Sequence, residues 1–107
     1  MYKNIEKSKV QCLKDLVAYQ DGQIVSKTLV QNRLMSMTLF SFEKGEEIST
    51  HAAGGDAMVQ VLEGTGRFTV DGVEYLLSEG ESLIMPKDIP HAVYGQERFK
   101  MLLTVSF

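Results

Sequence analysis

The sequence predicts an all-β fold, a single barrel or sandwich of short antiparallel strands. From about residue 33 onward, short apolar runs alternate with turn signals at the spacing typical of β-sandwiches and barrels. Asp71-Gly72 lies between two alternating runs and is the strongest short-range hairpin signal, because a type I′ turn needs positive φ at both central residues. The chain has 107 residues, which is room for one hydrophobic core. We therefore expect one domain over residues 1–107.

The first 32 residues predict a short N-terminal extension to this barrel. The run VQCLKDLVAY (10–19) has apolar spacing that suits a short helix as well as a strand, so its type stays open. The run GQIVSKTLV (22–30) follows and is predicted to be extended. The order and type of the elements in this part are not fixed by the pattern.

The remaining residues predict a succession of strands. RLMSMTLFSF (33–42) has apolar side chains on both faces, so we expect both faces to be partly buried. RFKMLLTVSF (98–107) alternates, and it is predicted to close the sheet with one apolar core face. That face contains Phe99, Met101, Leu103, Val105 and Phe107. The runs between these two are MVQVLEG (58–64), GRFTV (66–70), VEYLL (73–77), ESLIMP (81–86) and HAVYG (91–95).

Charge and composition exclude several classes of partner. The net charge is −3 and the basic residues are scattered, which argues against nucleic-acid binding. No apolar run has the length of a signal peptide or of a membrane span, so we expect a cytoplasmic protein with no membrane partner. Cys12 is the only cysteine, and we assign it no chemistry.

Two spaced motifs carry a family resemblance. In the first, Gly45 is followed after five residues by His51, and the motif ends at Gly64. This spacing resembles the first conserved motif of the cupin family, and it covers about residues 45–64.

The second motif covers about residues 80–95. Gly80, Pro86 and His91 stand at the intervals of the second cupin motif, with Asp88 in place of its middle glycine and Gly95 in place of its asparagine. The sequence thus resembles a small single-domain cupin of the conserved barrel type. The resemblance implies a double-stranded β-helix, or jelly-roll barrel.

The resemblance also implies a site near one mouth of the barrel. Cupins commonly hold a divalent metal there on three histidines and a glutamate. In this chain the second histidine position is Ala53 and the glutamate position is Ala57, so only His51 and His91 remain. We expect an interior pocket lined by these four residues.

A third metal ligand could come from Asp56, one position from the missing glutamate. Gly54-Gly55 precede it and make the backbone permissive, so strand alternation alone does not decide where its side chain points. Metal sites in proteins usually have three or four protein ligands. The predicted set is His51, His91 and Asp56, holding one divalent ion, iron, manganese, zinc or nickel; a site without metal is the alternative.

Two functions stay open at this point. One is a metal-dependent cupin that binds and acts on a small molecule, and the other is a metal-free, non-catalytic module that binds or senses one. Whether the chain is an enzyme, and which small molecule it takes, are undecided. We also expect a homodimer, because a barrel this short has exposed sheet edges and the family commonly pairs through an outer sheet face.

Overall fold

Eight β-strands and one short helical turn form the computed structural model, which describes residues 1–107. The all-β prediction is confirmed. In the undecided N-terminal part the structure has a single 3-10 turn followed by an extended strand. The elements in chain order are the 3-10 turn Leu13–Leu16, β1 Ile24–Gln31, β2 Met35–Phe42, β3 Glu47–His51, β4 Asp56–Val70, β5 Val73–Ser78, β6 Ser82–Met85, β7 His91–Tyr94 and β8 Phe99–Ser106.

All strand pairs are antiparallel, and they form two sheets joined by β4. The strand order is β1-β2-β8-β4-β7-β3, and β5 and β6 also pair with β4. The first half of β4 pairs with β8 and β6, whereas its second half pairs with β7 and β5. We call β1, β2, β8, β6 and the first half of β4 the first sheet, and the other strands with the second half of β4 the second sheet.

The runs 58–64 and 66–70, predicted as separate strands, are one continuous strand with a bulge. The register against β8 shifts between Val61 and Glu63, and Gly64 then lies opposite Phe99 with φ +75°. A Cβ at Gly64 would overlap the carbonyl oxygen of Arg98. The chain therefore passes from the first sheet into the second at Gly64. A residue with a side chain would lack space there, and it would have to adopt an unfavourable positive φ.

The hairpin predicted at Asp71-Gly72 is confirmed. Both residues have positive φ, 50° and 80°, as a type I′ turn requires. Val70 pairs directly with Val73 across the turn. The chain then runs back along the second half of β4 as β5.

The main core lies between the two sheets and contains three fully buried phenylalanines. The rings of Phe42 and Phe99 stack with centroids 4.6 Å apart, and Phe68 meets Phe99 edge-on at 5.9 Å. Aromatic pairs in these arrangements contribute about 0.5–1.5 kcal/mol beyond the area they bury. The barrel is therefore closed by packed side chains.

A second, smaller core lies on the outer face of the first sheet, under the N-terminal segment. Its buried members are Val17, Leu29, Val30, Leu39 and Leu102. Polar contacts hold the segment in place: the Lys100 ammonium donates to the Lys14 carbonyl at 2.6 Å, and the Ser41 hydroxyl donates to the Ala18 carbonyl at 2.7 Å.

This covering segment corrects the prediction for the last strand. β8 was expected to have one apolar core face, but Lys100 and Leu102 on its opposite face are also buried, while Phe107 is 56% exposed. The alternation of apolar residues in β8 predicts the inner face of the strand. The outer face of β8 is buried because the N-terminal segment packs on it.

No helix of the structure is long and apolar enough to cross a membrane.

Replacing Gly64 by alanine is expected to destabilise the protein by about 3 kcal/mol or more, because positive φ costs a non-glycine residue roughly 1–2 kcal/mol and the overlap with the Arg98 backbone adds strain. Gly80→Ala is the matched control, since Gly80 has φ +86° but open space around it. It should lose only about 1–2 kcal/mol. Urea unfolding of the two variants measures both values, and equal losses would contradict the role given to the β4 bend.

Candidate functional site

Strand pairing brings the two histidines of the chain together. His51 ends β3 and His91 begins β7, and the two residues lie directly opposite each other in the antiparallel β3–β7 ladder. Directly opposed residues project their side chains to the same face of a sheet, with Cβ atoms about 4.5–5.5 Å apart. The ladder register shifts between Ile48 and His51, so the pairing at the histidines follows an irregularity in β3.

The two imidazoles meet at their Nε2 atoms. These nitrogens are 3.1 Å apart, and the ring centroids are 4.3 Å apart with an edge-to-face angle of 72°. The two rings differ in exposure: His91 is only 3% exposed, whereas His51 is open to solvent. The pair thus has one buried member and one member at the protein surface.

Main-chain carbonyls fix the other nitrogen of each ring. The Nδ1 of His51 lies 2.9 Å from the Ser49 carbonyl oxygen, and the Nδ1 of His91 lies 3.2 Å from that of Ile89. A carbonyl oxygen only accepts hydrogen bonds, so each Nδ1 carries the proton when these bonds form. Each neutral ring then has a lone pair on Nε2, and the two lone pairs face one another. One cation between them, a proton or a metal ion, relieves that repulsion.

The buried member of the pair resists protonation. Burial lowers the pKa of His91 from its ordinary value of 6.5, and a charge on nearby His51 lowers it further, although the Ile89 carbonyl acts in the opposite direction. At neutral pH the Nε2 of His91 therefore has a free lone pair. A metal ion needs a ligand in this state.

Asp56 does not join the histidines. Its Oδ1 accepts the backbone N–H of Lys87 at 2.8 Å, which ties the start of β4 to the loop before β7. No group of three His, Cys, Asp or Glu side chains in the structure is placed to hold a metal ion. The structure thus brings His51 and His91 together without Asp56, and the three-ligand set of His51, His91 and Asp56 stays a prediction. Asp56 begins β4 and alternates with the buried Ala57, so its side chain lies on the outer face of the first sheet.

The structure also differs from the expected interior pocket. Ala57 is 1% exposed and lies in the main core, where Met85 and Val105 are its neighbours across the strands. Ala53 is half-buried, and its carbonyl accepts the N–H of Asp88 at 2.9 Å. The space that a glutamate side chain would take is closed by packing.

The one pocket of the structure lies away from the histidines. It has a volume of about 390 Å³ and is formed by the N-terminal segment and β1. Its lining residues are Asn4, Ile5, Glu6, Lys9, Gln11, Leu16 and Lys27. The histidine pair is not part of this pocket, and it is open to solvent on the side of His51.

The imidazole pair nevertheless fits part of a metal coordination shell. Two metal–nitrogen bonds of about 2.1 Å place their nitrogens about 3.0 Å apart at an octahedral angle and about 3.4 Å apart at a tetrahedral one. The observed separation is 3.1 Å. A carbonyl on the far nitrogen of each ring is also the usual outer partner of a metal-bound histidine. His51 and His91 can thus hold an ion on two positions, and the remaining positions would be taken by water or by a small molecule.

The two supporting carbonyls are functional groups that the sequence did not reveal. In both cases the acceptor is the residue two positions before the histidine, Ser49 and Ile89. Pro90 before His91 was a signal for an extended approach to that residue. A main-chain carbonyl is present at every residue, so the sequence does not indicate which carbonyl accepts a bond from a histidine. The positions of these two acceptors follow only from the folded strands.

Comparison with known families and structures gives consistent matches. A family model described as the cupin domain matches residues 38–105. A conserved protein of unknown function from Streptococcus pyogenes is 44% identical, with a TM-score of 0.96 over 98% of this chain and 92% of that chain. A cupin superfamily protein from Desulfitobacterium hafniense is 30% identical, with a TM-score of 0.95 over 100% of this chain and 98% of that one.

A third solved structure is longer than this chain. A cupin 2 conserved barrel domain protein from Leptotrichia buccalis is 48% identical, with a TM-score of 0.88, and the match covers 89% of this chain and 46% of that chain. No curated protein matches the chain.

The lowered pKa of His91 predicts a pH-dependent stability of the metal-free protein. The unfolded chain takes up a proton near pH 6.5, before the folded protein does, so stability present above that pH is lost as the pH falls towards the folded pKa. In chelator, the free energy of unfolding should decline less between about pH 7.5 and 5 in His91→Gln than in the wild type. Urea titrations at a series of pH values measure this difference, and parallel declines would contradict it.

Proposed function

This chain belongs to the cupin domain family, and we propose that it is a small-molecule-binding cupin whose His51–His91 pair holds a divalent metal ion together with the bound ligand. The observation that carries the proposal is the convergence of two Nε2 atoms at 3.1 Å, each ring oriented by a main-chain carbonyl. These features support two adjacent ligand positions on one ion.

The two histidines have different parts in this proposal. His91 is buried and its lowered pKa favours the neutral ring, so it provides a fixed, deprotonated nitrogen at neutral pH. His51 is exposed and forms the side of the site that the small molecule approaches. A ligand that reaches the pair does so without a rearrangement of the barrel core.

The small number of protein ligands determines which kind of small molecule the proposed metal ion would bind. When bound, the metal supplies a Lewis acid that attracts oxygen or nitrogen atoms of the small molecule. Because the chain provides two imidazoles and no third group, a molecule with two donor atoms of its own gains most from the remaining positions. We propose that the chain binds this molecule. We assign a catalytic step to no residue other than His51 and His91.

A second candidate function rests on the same distance. A separation of 3.1 Å between Nε2 atoms is also that of an N–H···N hydrogen bond, so the pair can share one proton. When the pair takes up this proton, it carries a single positive charge. Without metal, this charge would bind a small anion, which is the metal-free binding module that the sequence left open.

Metal titration separates these functions. We expect wild-type protein, freed of metal by chelator and followed by calorimetry, to bind one equivalent of iron, manganese, zinc or nickel with a dissociation constant of about 1–100 μM. His51→Ala and His91→Ala should each weaken this binding at least about tenfold, because each removes one of two ligands. Elemental analysis of protein purified without chelator provides an independent measure of occupancy.

Asp56→Asn is the matched control for this experiment. An asparagine keeps an oxygen that can accept the Lys87 N–H, and it removes the only acidic side chain next to the missing glutamate position. Its affinity should equal that of the wild type. If wild-type protein takes up none of the four metals, the metal proposal is wrong. Binding of small anions that disappears in His51→Ala would then support the second candidate.

A further inference from the structure

The pocket between the N-terminal segment and β1 has no part in the proposed function. Its volume of about 390 Å³ lies within the range of pockets that bind small molecules, about 300–1,000 Å³. Its lining combines four half-buried residues, Ile5, Gln11, Leu16 and Lys27, with three exposed ones, Asn4, Glu6 and Lys9. The half-buried part thus contains two apolar side chains, one amide and one ammonium.

The ammonium of Lys27 has no partner in the protein. Lys27 lies on the outer face of the first sheet, where it pairs with Leu39, a buried member of the smaller core. Lys100 is covered on the same face, and its ammonium donates to the Lys14 carbonyl. Lys27 forms no ion pair and no side-chain hydrogen bond. A half-buried ammonium that lines a pocket and has no partner is free to bind an anion.

Side-chain amides hold the N-terminal wall of the pocket in place. The Asn4 amide donates to the Thr28 carbonyl of β1 at 2.8 Å, which fixes the segment to the sheet edge. Within the segment, the Gln11 amide donates to the Glu6 carbonyl at 2.9 Å and closes the loop between them. The pocket is therefore formed before a ligand arrives, so binding does not have to order the segment.

The charge of the lining determines the charge of the ligand. Lys9 and Lys27 contribute two positive charges and Glu6 one negative charge, so the lining has a net charge of +1, although the whole chain has −3. The Lys9 ammonium lies 3.1 Å from the Glu6 carboxylate, which leaves Lys27 as the unpaired charge. A group with one negative charge matches this balance. A phosphate ester, with a charge of about −1.5 to −2, exceeds it.

We propose that this pocket binds a small monocarboxylate that has a short apolar body. The carboxylate accepts hydrogen bonds from the Lys27 ammonium, and the apolar body lies against Ile5 and Leu16. These two side chains pack on the smaller core, so an apolar body placed on them enlarges an apolar surface that is already present. The site is separate from the histidine pair, and it does not depend on the function proposed for that pair.

Titration of isotope-labelled protein with hexanoate, followed by two-dimensional NMR in the presence of chelator, tests the proposal. We expect saturable shifts of the amides of residues 4–11, Leu16 and Lys27, with a dissociation constant of about 0.1–10 mM, because one charged contact and a short apolar chain give a weak affinity. Hexanamide has the same apolar chain without the charge, and it should bind at least about tenfold more weakly.

Two variants should change the affinity for hexanoate in opposite directions. Lys27→Met removes the ammonium and keeps an apolar stem, so binding should weaken at least about fivefold. Glu6→Gln removes the only negative charge of the lining, so binding should tighten about two- to fivefold. The Glu6 side chain is exposed, and the main-chain carbonyl that accepts the Gln11 amide remains. A gain in affinity in this variant cannot come from loss of the fold.

Lys7→Met is the matched control for the lysine variant. Lys7 is exposed and lies in the same segment, but it does not line the pocket. Lys7→Met and His51→Ala should both bind hexanoate as the wild type does. The proposal is overturned if no saturable shift of the pocket amides occurs up to about 50 mM hexanoate. Equal affinities for hexanoate and hexanamide, binding of inorganic phosphate as tight as that of hexanoate, or equal losses in Lys27→Met and Lys7→Met would also overturn it.

Discussion

The long strand β4 is the constraint on which the rest of the barrel depends. It is the only strand that belongs to both sheets, and it pairs with β6 and β8 in its first half and with β5 and β7 in its second. The change of sheet occurs at Gly64, whose positive φ and close contact with the Arg98 carbonyl leave no space for a side chain. The two cores lie on opposite faces of the first sheet, so the course of β4 determines what each of them encloses.

The geometry of the histidine pair depends on β4. Val70, the last residue of β4, pairs with His91, and His91 in turn pairs with His51. The Asp71 N–H also donates to the Pro90 carbonyl, at 2.9 Å, so the hairpin that follows β4 fixes the entry to β7. The two Nε2 atoms are thus brought together by a ladder of main-chain bonds and by two carbonyls. None of these supports is a side chain, which explains why two imidazoles can be held close without a neighbouring carboxylate.

What the sequence could predict follows from the range of each interaction. The Asp71-Gly72 hairpin and the alternation of the strands are local, and the spacing of the motif residues around His51 and His91 reflects a fold shared by a family, so all of these were visible in one sequence. Burial of Lys100 and Leu102 was not visible, because it depends on a segment more than eighty residues earlier in the chain. Asp56 lies apart from the pair because alternation along β4 places its carboxylate on the face opposite Ala57, where it accepts the Lys87 N–H.

The asymmetry between the two imidazoles limits what kind of site this barrel can provide. A fully enclosed centre would bury both rings and would need further polar groups around the ligand, because buried polar atoms without partners cost free energy. Here the interior is closed by Ala57, Met85 and the aromatic core, and every buried side-chain polar atom already has a hydrogen-bond partner. At the histidine pair, only the His51 side is open to solvent. In the proposed function, selectivity must therefore come mainly from the donor atoms that the small molecule brings to the pair, and less from the shape of a cavity around it.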